Sequence, residues 1–151
     1  MLQFFEFEAD FVAALRCIPM QVRYKLDTCG IKLKLQHWHS FSTIQRQKLI
    51  DLPCETNKEI QDYRENLRSQ VFQYFNTYPS DLPIDKEPVW MQIESIPLSV
   101  ELHAQELNFA IALNQWQALT PIQRFALIKL SNSNHENNNF LPALQEFGLI
   151  P

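Results

Sequence analysis

The amino-acid sequence contains two related segments, and this internal repeat constrains the fold more than any other feature. Residues 17–52 align without a gap with residues 95–130, which lie 78 positions further along the chain. Of the 36 aligned pairs, 11 are identical, among them Trp38 with Trp116 and Arg46 with Arg124. A segment of this length cannot bury a core by itself. We therefore expect one domain spanning residues 1–151, in which the two helical repeats pack around a pseudo-twofold axis.

Local signals favour an all-α fold. The chain has only two glycines, so few positions suit the left-handed turns of tight hairpins. Capping boxes mark helix starts at Ser42, Thr56 and Thr120, because each hydroxyl residue has Gln or Glu three positions later. The box at Thr56 opens a long helix predicted over about 57–75, where apolar residues recur at helical spacing.

Two short segments leave the choice between strand and helix open. Residues 31–35 alternate like a strand, yet Ile31 and Leu35 would also share a helical face. The same choice applies to the aligned residues 109–113. Each segment follows Gly30 or Asn108, the two residue types that best tolerate a left-handed helix end.

A proline-rich linker, residues 78–97, joins the two copies. Its four prolines lack amide donors and disfavour regular structure. It also carries Val89, Trp90 and Ile93, so we expect it to pack against the core.

Near the N-terminus, Asp10 is expected to cap a short first helix. We interpret three neighbouring acids as a solvated face or as an acidic edge for a basic partner: Glu6, Glu8 and Asp10.

Composition and charge argue against several function classes. The net charge is −4, and no basic face for nucleic acid is visible. No apolar stretch approaches the length of a membrane span, and the N-terminus lacks the basic region of a signal peptide. Three cysteines cannot all pair within one chain. We therefore expect a cytoplasmic protein with no nucleic-acid or membrane partner.

Histidines and cysteines invite a metal interpretation, which their spacing disfavours. His37 and His39 flank Trp38, but the chain has no Cys-x-x-Cys motif. The second copy carries Gln115 and Gln117 in place of the two histidines, so the duplicated scaffold does not need them. We predict no metal and no cofactor.

The paired arginines Arg46 and Arg124 allow two interpretations. One is structural: an ion pair with a carboxylate, or an aliphatic stem packed on the core. The other is functional: two guanidinium groups that hold an anionic small molecule. Since each arginine lies in the first turn of a helix, it gains nothing from the dipole of that helix. The structural interpretation is favoured.

A polar stretch from His135 to Phe140 falls where the repeat ends, and copies often diverge at functional positions. It contains His135, Glu136, Asn137 and Asn139. Catalysis there would need a nucleophile, and neither a Gly-x-Ser-x-Gly motif nor a glycine-rich phosphate loop is present. We predict that the protein is not an enzyme.

Read as whole phrases, the chain resembles the cyanobacterial nitrate reductase-associated protein family. The phrases that carry the resemblance are FEFEADF at 5–11, LRCIPM at 15–20, KLD at 25–27, CGIKL at 29–33, LPCET at 52–56, QW at 115–116, LTP at 119–121, QRFALIKL at 123–130, HEN at 135–137 and NFLPAL at 139–144. They extend over nearly the whole chain and are weakest over residues 68–100.

The resemblance implies an accessory protein that helps assimilatory nitrate reductase become active, with the reductase or molybdenum cofactor assembly proteins as partners. It carries over no catalytic residues. The residues we single out as a candidate binding surface, from these phrases and the paired arginines, are Cys17, Asp27, Arg46, Cys54, Arg124, His135, Glu136, Asn137 and Asn139. An alternative is a binding protein or enzyme for an anionic ligand that uses Arg46, Arg124 and His135.

Overall fold

The computed structural model describes residues 4–132 and 137–151, and helices dominate them. The α-helices are α1 (Ala9–Ala13), α2 (Met20–Cys29), α3 (Leu35–Ser40), α4 (Thr43–Asp51), α5 (Asn57–Phe75), α6 (Leu98–Glu106), α7 (Leu113–Ala118), α8 (Pro121–Asn132) and α9 (Phe140–Glu146). Short 3-10 turns cover Glu6–Glu8, Val89–Met91 and Asn137–Asn139. The all-α prediction is confirmed. None of the helices within the described ranges is long and apolar enough to cross a membrane.

One small antiparallel pairing interrupts the helices. Strand β1 (Ile31–Lys32) pairs with β2 (Ser80–Asp81), with Ile31 opposite Asp81. The open choice over residues 31–35 is therefore resolved as a two-residue strand followed by the start of α3 at Leu35. Residues 109–112 form neither helix nor strand, and α7 begins at Leu113.

The chain divides into two compact units, residues 1–84 and 85–151. Each unit contains one of the two aligned segments. In the first unit α2 packs against α4, α5 and β1, and in the second α8 packs against α6, α9 and the turn Val89–Met91. The pseudo-twofold packing of the two copies in one domain stays a prediction.

Matching local structures occur at aligned positions of the two segments. Three pairs of helices start 78 positions apart: α2 with α6 at Met20 and Leu98, α3 with α7 at Leu35 and Leu113, and α4 with α8 at Thr43 and Pro121. The first helix of each set is followed by a left-handed residue, Gly30 with φ 78° and Asn108 with φ 63°. The sequence predicted this shared helix end.

The predicted capping boxes are formed. Ser42 Oγ accepts from the amide of Gln45 at 3.1 Å, and Gln45 Oε1 accepts from the amide of Ser42 at 2.8 Å. The same exchange joins Thr56 with Glu59 and Thr120 with Gln123. The long helix α5, Asn57–Phe75, begins directly after Thr56.

At the N-terminus the structure corrects two expectations. The N-cap of α1 is Glu8, and Asp10 lies within the first turn. Glu8 is only 3% exposed, so the solvated-face interpretation is wrong for this residue. Its two carboxylate oxygens each accept from the amide of Met20 at 3.2 Å. A negative group is favourable there because the first amides of α2 have no intrahelical partner.

Buried aromatic and aliphatic side chains fill both units. In the first unit they form one cluster: Val22, Leu26, Cys29, Ile31, Leu33, Trp38, Phe41, Leu49, Ile50, Cys54, Tyr63, Leu67 and Val71. In the second unit the buried set includes Val100, Trp116, Phe125, Leu127, Leu130, Phe140 and Leu144. Both repeated tryptophans are buried.

The proline-rich linker packs as expected at Trp90. The indole of Trp90 meets the ring of Phe125 edge to face, with centroids 5.1 Å apart. Val89 and Ile93 are exposed, at 43% and 41%, so the packing expectation is wrong for these two residues. At the other end of the linker, the amide of Leu82 donates to the carbonyl of Gly30 at 2.8 Å.

The two glycines provide a matched stability test. We expect Gly30→Ala to lower the free energy of unfolding by about 2–4 kcal/mol, because its Cβ would lie 2.8 Å from Ile84 Cγ1 at a left-handed backbone position. Gly148→Ala meets no atom within 4 Å and carries only the left-handed penalty, about 1–2 kcal/mol. Urea unfolding measures both, and equal losses would contradict the close approach at Gly30.

Candidate functional site

Arg46 closes the end of the preceding helix. Its Nη1 donates to the carbonyl of Phe41 at 2.5 Å and to that of Trp38 at 3.4 Å, and Nη2 donates to Thr43 Oγ1 at 3.4 Å. The last carbonyls of a helix have no intrahelical partner and carry partial negative charge. Arg46 therefore gains from the dipole of α3, although it lies in the first turn of α4.

Arg124 makes the same contacts in the second unit. Its Nη1 donates to the carbonyl of Leu119 at 2.5 Å and to that of Trp116 at 3.5 Å. In addition its Nε donates to the carbonyl of Trp90 at 2.6 Å, and the side chain is only 5% exposed. These contacts support the structural interpretation of the arginine pair, with main-chain carbonyls among the acceptors.

Two further cations in the first unit follow the same rule. Arg64 donates through Nη1 to the carbonyls of Cys29 and Gly30, at 3.1 and 3.0 Å, where α2 ends. Its Nη2 also pairs with Asp81 at 2.6 Å. Lys25 Nζ donates to the carbonyls of Ile50 and Leu52, both at 2.6 Å, where α4 ends.

Around Lys25 the structure assembles a buried group with two thiols and a phenol. Cys54 Sγ lies 3.9 Å from the carbonyl of Lys25, and Tyr63 donates its hydroxyl to the carbonyl of Leu49 at 2.8 Å. Burial lowers the pKa of Lys25 and raises the pKa of Tyr63. Burial also raises the pKa of Cys29 to about 12 and that of Cys54 to about 11. Thiols held in the protonated form are poor nucleophiles and poor metal ligands.

The histidines that suggested a metal site have structural partners. His37 Nδ1 accepts from the amide of Lys34 at 3.2 Å at the start of α3, and burial lowers the pKa of this imidazole. His39 Nε2 donates to the carbonyl of Leu15. Across residues 4–132 and 137–151, no three His, Cys, Asp or Glu side chains are grouped to hold a metal ion.

In the second copy, glutamines make the equivalent bonds. Gln115 Oε1 accepts from the amide of Ala112 at 2.9 Å, and Gln117 Nε2 donates to the carbonyl of Ile93 at 2.9 Å. Histidine and glutamine can replace each other here because both offer an acceptor and a donor at similar reach.

The other predicted site residues are dispersed along the chain. Cys17 and Asp27 are partly buried in the first unit, and Cys54 is 6% exposed. Asn139 is partly buried before α9 and makes no side-chain cap, while Asn137 opens a 3-10 turn. His135 and Glu136 lie outside the described residues. The buried cysteine Cys54 and the buried Arg124 present little surface for direct contact.

A largely apolar groove in the first unit lies on the outer face of α4. It has a volume of about 610 Å³ and is lined by Thr43, Ile44, Gln47, Lys48, Asp51, Leu52 and Pro53. Ile44 is 81% exposed, a large value for an aliphatic side chain inside a helix. We call this surface the α4 groove.

Sequence reasoning missed the α4 groove, although a signal was present. Leu49 and Ile50 define the buried face of α4. Ile44 precedes them by five and six positions, which is out of phase with the three- and four-residue spacing of one helical face. Two of its lining residues, Leu52 and Pro53, belong to the LPCET phrase singled out in the sequence.

A second prediction tests the role of the arginines. We expect Arg124→Met to lower the free energy of unfolding by about 2–4 kcal/mol, because buried carbonyls lose their donor. Arg46→Met should cost about 1 kcal/mol, since Arg46 is only partly buried. Thermal unfolding with and without phosphate or molybdate provides the measurement. An anion that stabilises the wild type but not Arg46→Met would contradict the structural role.

A third prediction concerns the buried thiols. Because the thiolate is the reactive form, iodoacetamide should label Cys29 and Cys54 slowly at pH 8. The rate for Cys54 should rise about tenfold per pH unit until the pH approaches its pKa of about 11. Mass spectrometry of alkylated peptides measures this, with urea-unfolded protein as the control. A rate for Cys54 that levels off near pH 9 would contradict the raised pKa.

Comparison with known proteins identifies one family. A family model described as "Conserved nitrate reductase-associated protein" matches residues 4–147. Neither the curated proteins nor the solved structures contain a significant match to the chain.

Proposed function

We propose a function from the premise that the chain belongs to the nitrate reductase-associated protein family, whose model matches residues 4–147. The protein binds assimilatory nitrate reductase and supports its activity or the assembly of its cofactor. This family match is the observation that carries the proposal. A non-catalytic role, a cytoplasmic location and a cyanobacterial origin form part of the same proposal.

The α4 groove is the surface we assign to this contact. An exposed apolar surface bordered by polar residues is typical of a protein interaction site. Ile44, Leu52 and Pro53 provide apolar area, and Lys48 and Asp51 provide one charge of each sign at its border. An apolar side chain of the partner would fill the groove, with polar groups around it.

The floor of the α4 groove is held in place from inside the unit. Lys25 Nζ binds the carbonyls of Ile50 and Leu52, and Tyr63 binds the carbonyl of Leu49. The capping box at Ser42 secures the opposite end of α4. Because the backbone is ordered before a partner arrives, binding loses less conformational entropy.

The anionic-ligand alternative receives less support from the geometry. Arg46 and Arg124 both direct guanidinium N–H groups to main-chain carbonyls. An anion would have to compete with the helix ends for these donors. His135, the third residue of that alternative, lies outside the described residues.

The test compares two charged substitutions at exposed apolar positions. We expect Ile44→Glu to weaken capture of purified assimilatory nitrate reductase at least tenfold, because a carboxylate cannot enter an apolar groove without losing its hydration. Leu98→Glu is the matched control: Leu98 is 68% exposed on α6, outside the groove. Biolayer interferometry with apo and holo reductase gives the affinities.

The outcomes separate the function from the surface. Wild-type protein that binds neither form of the reductase would contradict the proposed function. Binding that Leu98→Glu abolishes and Ile44→Glu leaves intact would retain the function but move the contact away from the α4 groove. Molybdenum and iron content of reductase expressed with and without the protein then distinguishes cofactor assembly from a later effect on activity.

A further inference from the structure

Three side-chain donors of the second unit hold the chain segment that precedes α6. They bind three main-chain carbonyls: Arg124 Nε donates to Trp90 O at 2.6 Å, Trp116 Nε1 to Gln92 O at 3.4 Å, and Gln117 Nε2 to Ile93 O at 2.9 Å. The segment 90–93 is thereby fixed against the ends of α7 and α8.

In the first unit the aligned donors are Trp38, His39 and Arg46. Only one of them makes the equivalent bond to the preceding segment. Residues 12–15 lie 78 positions before residues 90–93. His39 Nε2 donates to the carbonyl of Leu15, as Gln117 does to that of Ile93. Trp38 Nε1 is buried and has no hydrogen-bond partner among the described residues. Arg46 donates its hydrogen bonds from Nη1 and Nη2. The aligned Arg124 also donates from Nε.

The backbone of the N-terminal segment accounts for the difference. α1 ends with a helical bond from the amide of Ala14 to Asp10 O at 3.0 Å and a capping bond from the amide of Arg16 to Phe11 O at 2.8 Å. Leu15 then takes φ 57°, a left-handed conformation that is unfavourable for a residue with a Cβ. In the second unit, residues 89–91 form a 3-10 turn and Gln92 is extended, with φ −87° and ψ 127°.

We propose that residues 9–16, which we call the strap, have a second docked arrangement. In this arrangement the carbonyl of Ala14 accepts from Trp38 Nε1, as the carbonyl of Gln92 accepts from Trp116 Nε1. The carbonyl of Val12 accepts from Arg46 Nε, as the carbonyl of Trp90 accepts from Arg124 Nε. Leu15 leaves the left-handed region. The bonds that end α1 are exchanged for side-chain bonds to α3 and α4.

Opposing contributions keep the two arrangements close in free energy. The observed arrangement retains the helical bonds of α1 but leaves a buried indole N–H without an acceptor, which is unfavourable. The second arrangement satisfies that donor and relaxes Leu15, but it loses the last turn of α1. A partner that contacts the exposed side of α1, where Phe11 is 40% exposed, would shift the populations. The inference does not depend on the proposed function.

Substitution of Leu15 tests the strap in the full chain by NMR. Leu15→Ile places a β-branched residue there, the residue found at the aligned position 93, and should disfavour the left-handed conformation. We expect the Trp38 indole proton to move downfield towards the resonance position of Trp116, and the Cα shift of residue 15 to become that of extended backbone. Leu15→Gly removes the left-handed penalty. The Trp38 indole proton should then keep its wild-type position, and the deviation of the residue-15 Cα shift from its random-coil value should stay that of the left-handed conformation.

Wild-type dynamics provide a second measurement that does not need the isoleucine variant to fold. Exchange between two docked arrangements should broaden the Trp38 indole signal on the microsecond-to-millisecond timescale, and Leu15→Gly should suppress that exchange at least threefold. Unchanged Trp38 signals in folded Leu15→Ile would overturn the proposal. So would the absence of exchange at Trp38 in the wild type. A long-lived water bound to the Trp38 indole would also overturn it, because the donor would then be satisfied.

Discussion

The structure depends on cationic side chains that close the C-terminal ends of short helices. Helices of six to ten residues, such as α3 and α2, are marginal alone because most of their backbone groups lie at an end. Arg46, Arg64 and Lys25 supply donors to these ends in the first unit, and Arg124 does so in the second. Each cation is anchored on a different helix from the one it closes, so local and tertiary structure form together.

This arrangement explains which residues the two copies share and which they exchange. The arginines are identical because a guanidinium can reach several diverging carbonyls at once. The first copy has histidine at 37 and 39 where the second has glutamine at 115 and 117. This exchange is tolerated because the two residue types supply equivalent bonds there. The outer face of α4 keeps Ile44, which aligns with Ile122, but it diverges from α8 at Gln47 and Lys48, where α8 has the buried Phe125 and Ala126. The divergence leaves the α4 groove open to a partner.

Part of the candidate site was predictable, and the limit has a physical cause. The sequence favoured a structural role for Arg46 and Arg124, and their bonds to main-chain carbonyls support that interpretation. It also showed poor metal spacing around His37 and His39. It could not indicate that Cys54 would be buried beside Lys25, since that contact joins residues 29 positions apart. Glu8 was misjudged for the same reason: its partner is the amide of Met20, twelve positions away.

The sequence by itself determined the starts of α4, α5 and α8 and the ends of α2 and α6. Ser42, Thr56, Thr120, Gly30 and Asn108 act on backbone groups within three or four positions, so their effect is readable from neighbouring residues. Only the tertiary structure decided which carbonyls the arginines bind and that Trp38 keeps an unused donor. Those features depend on which surfaces pack together, and packing joins residues whose separation along the chain carries no local signal.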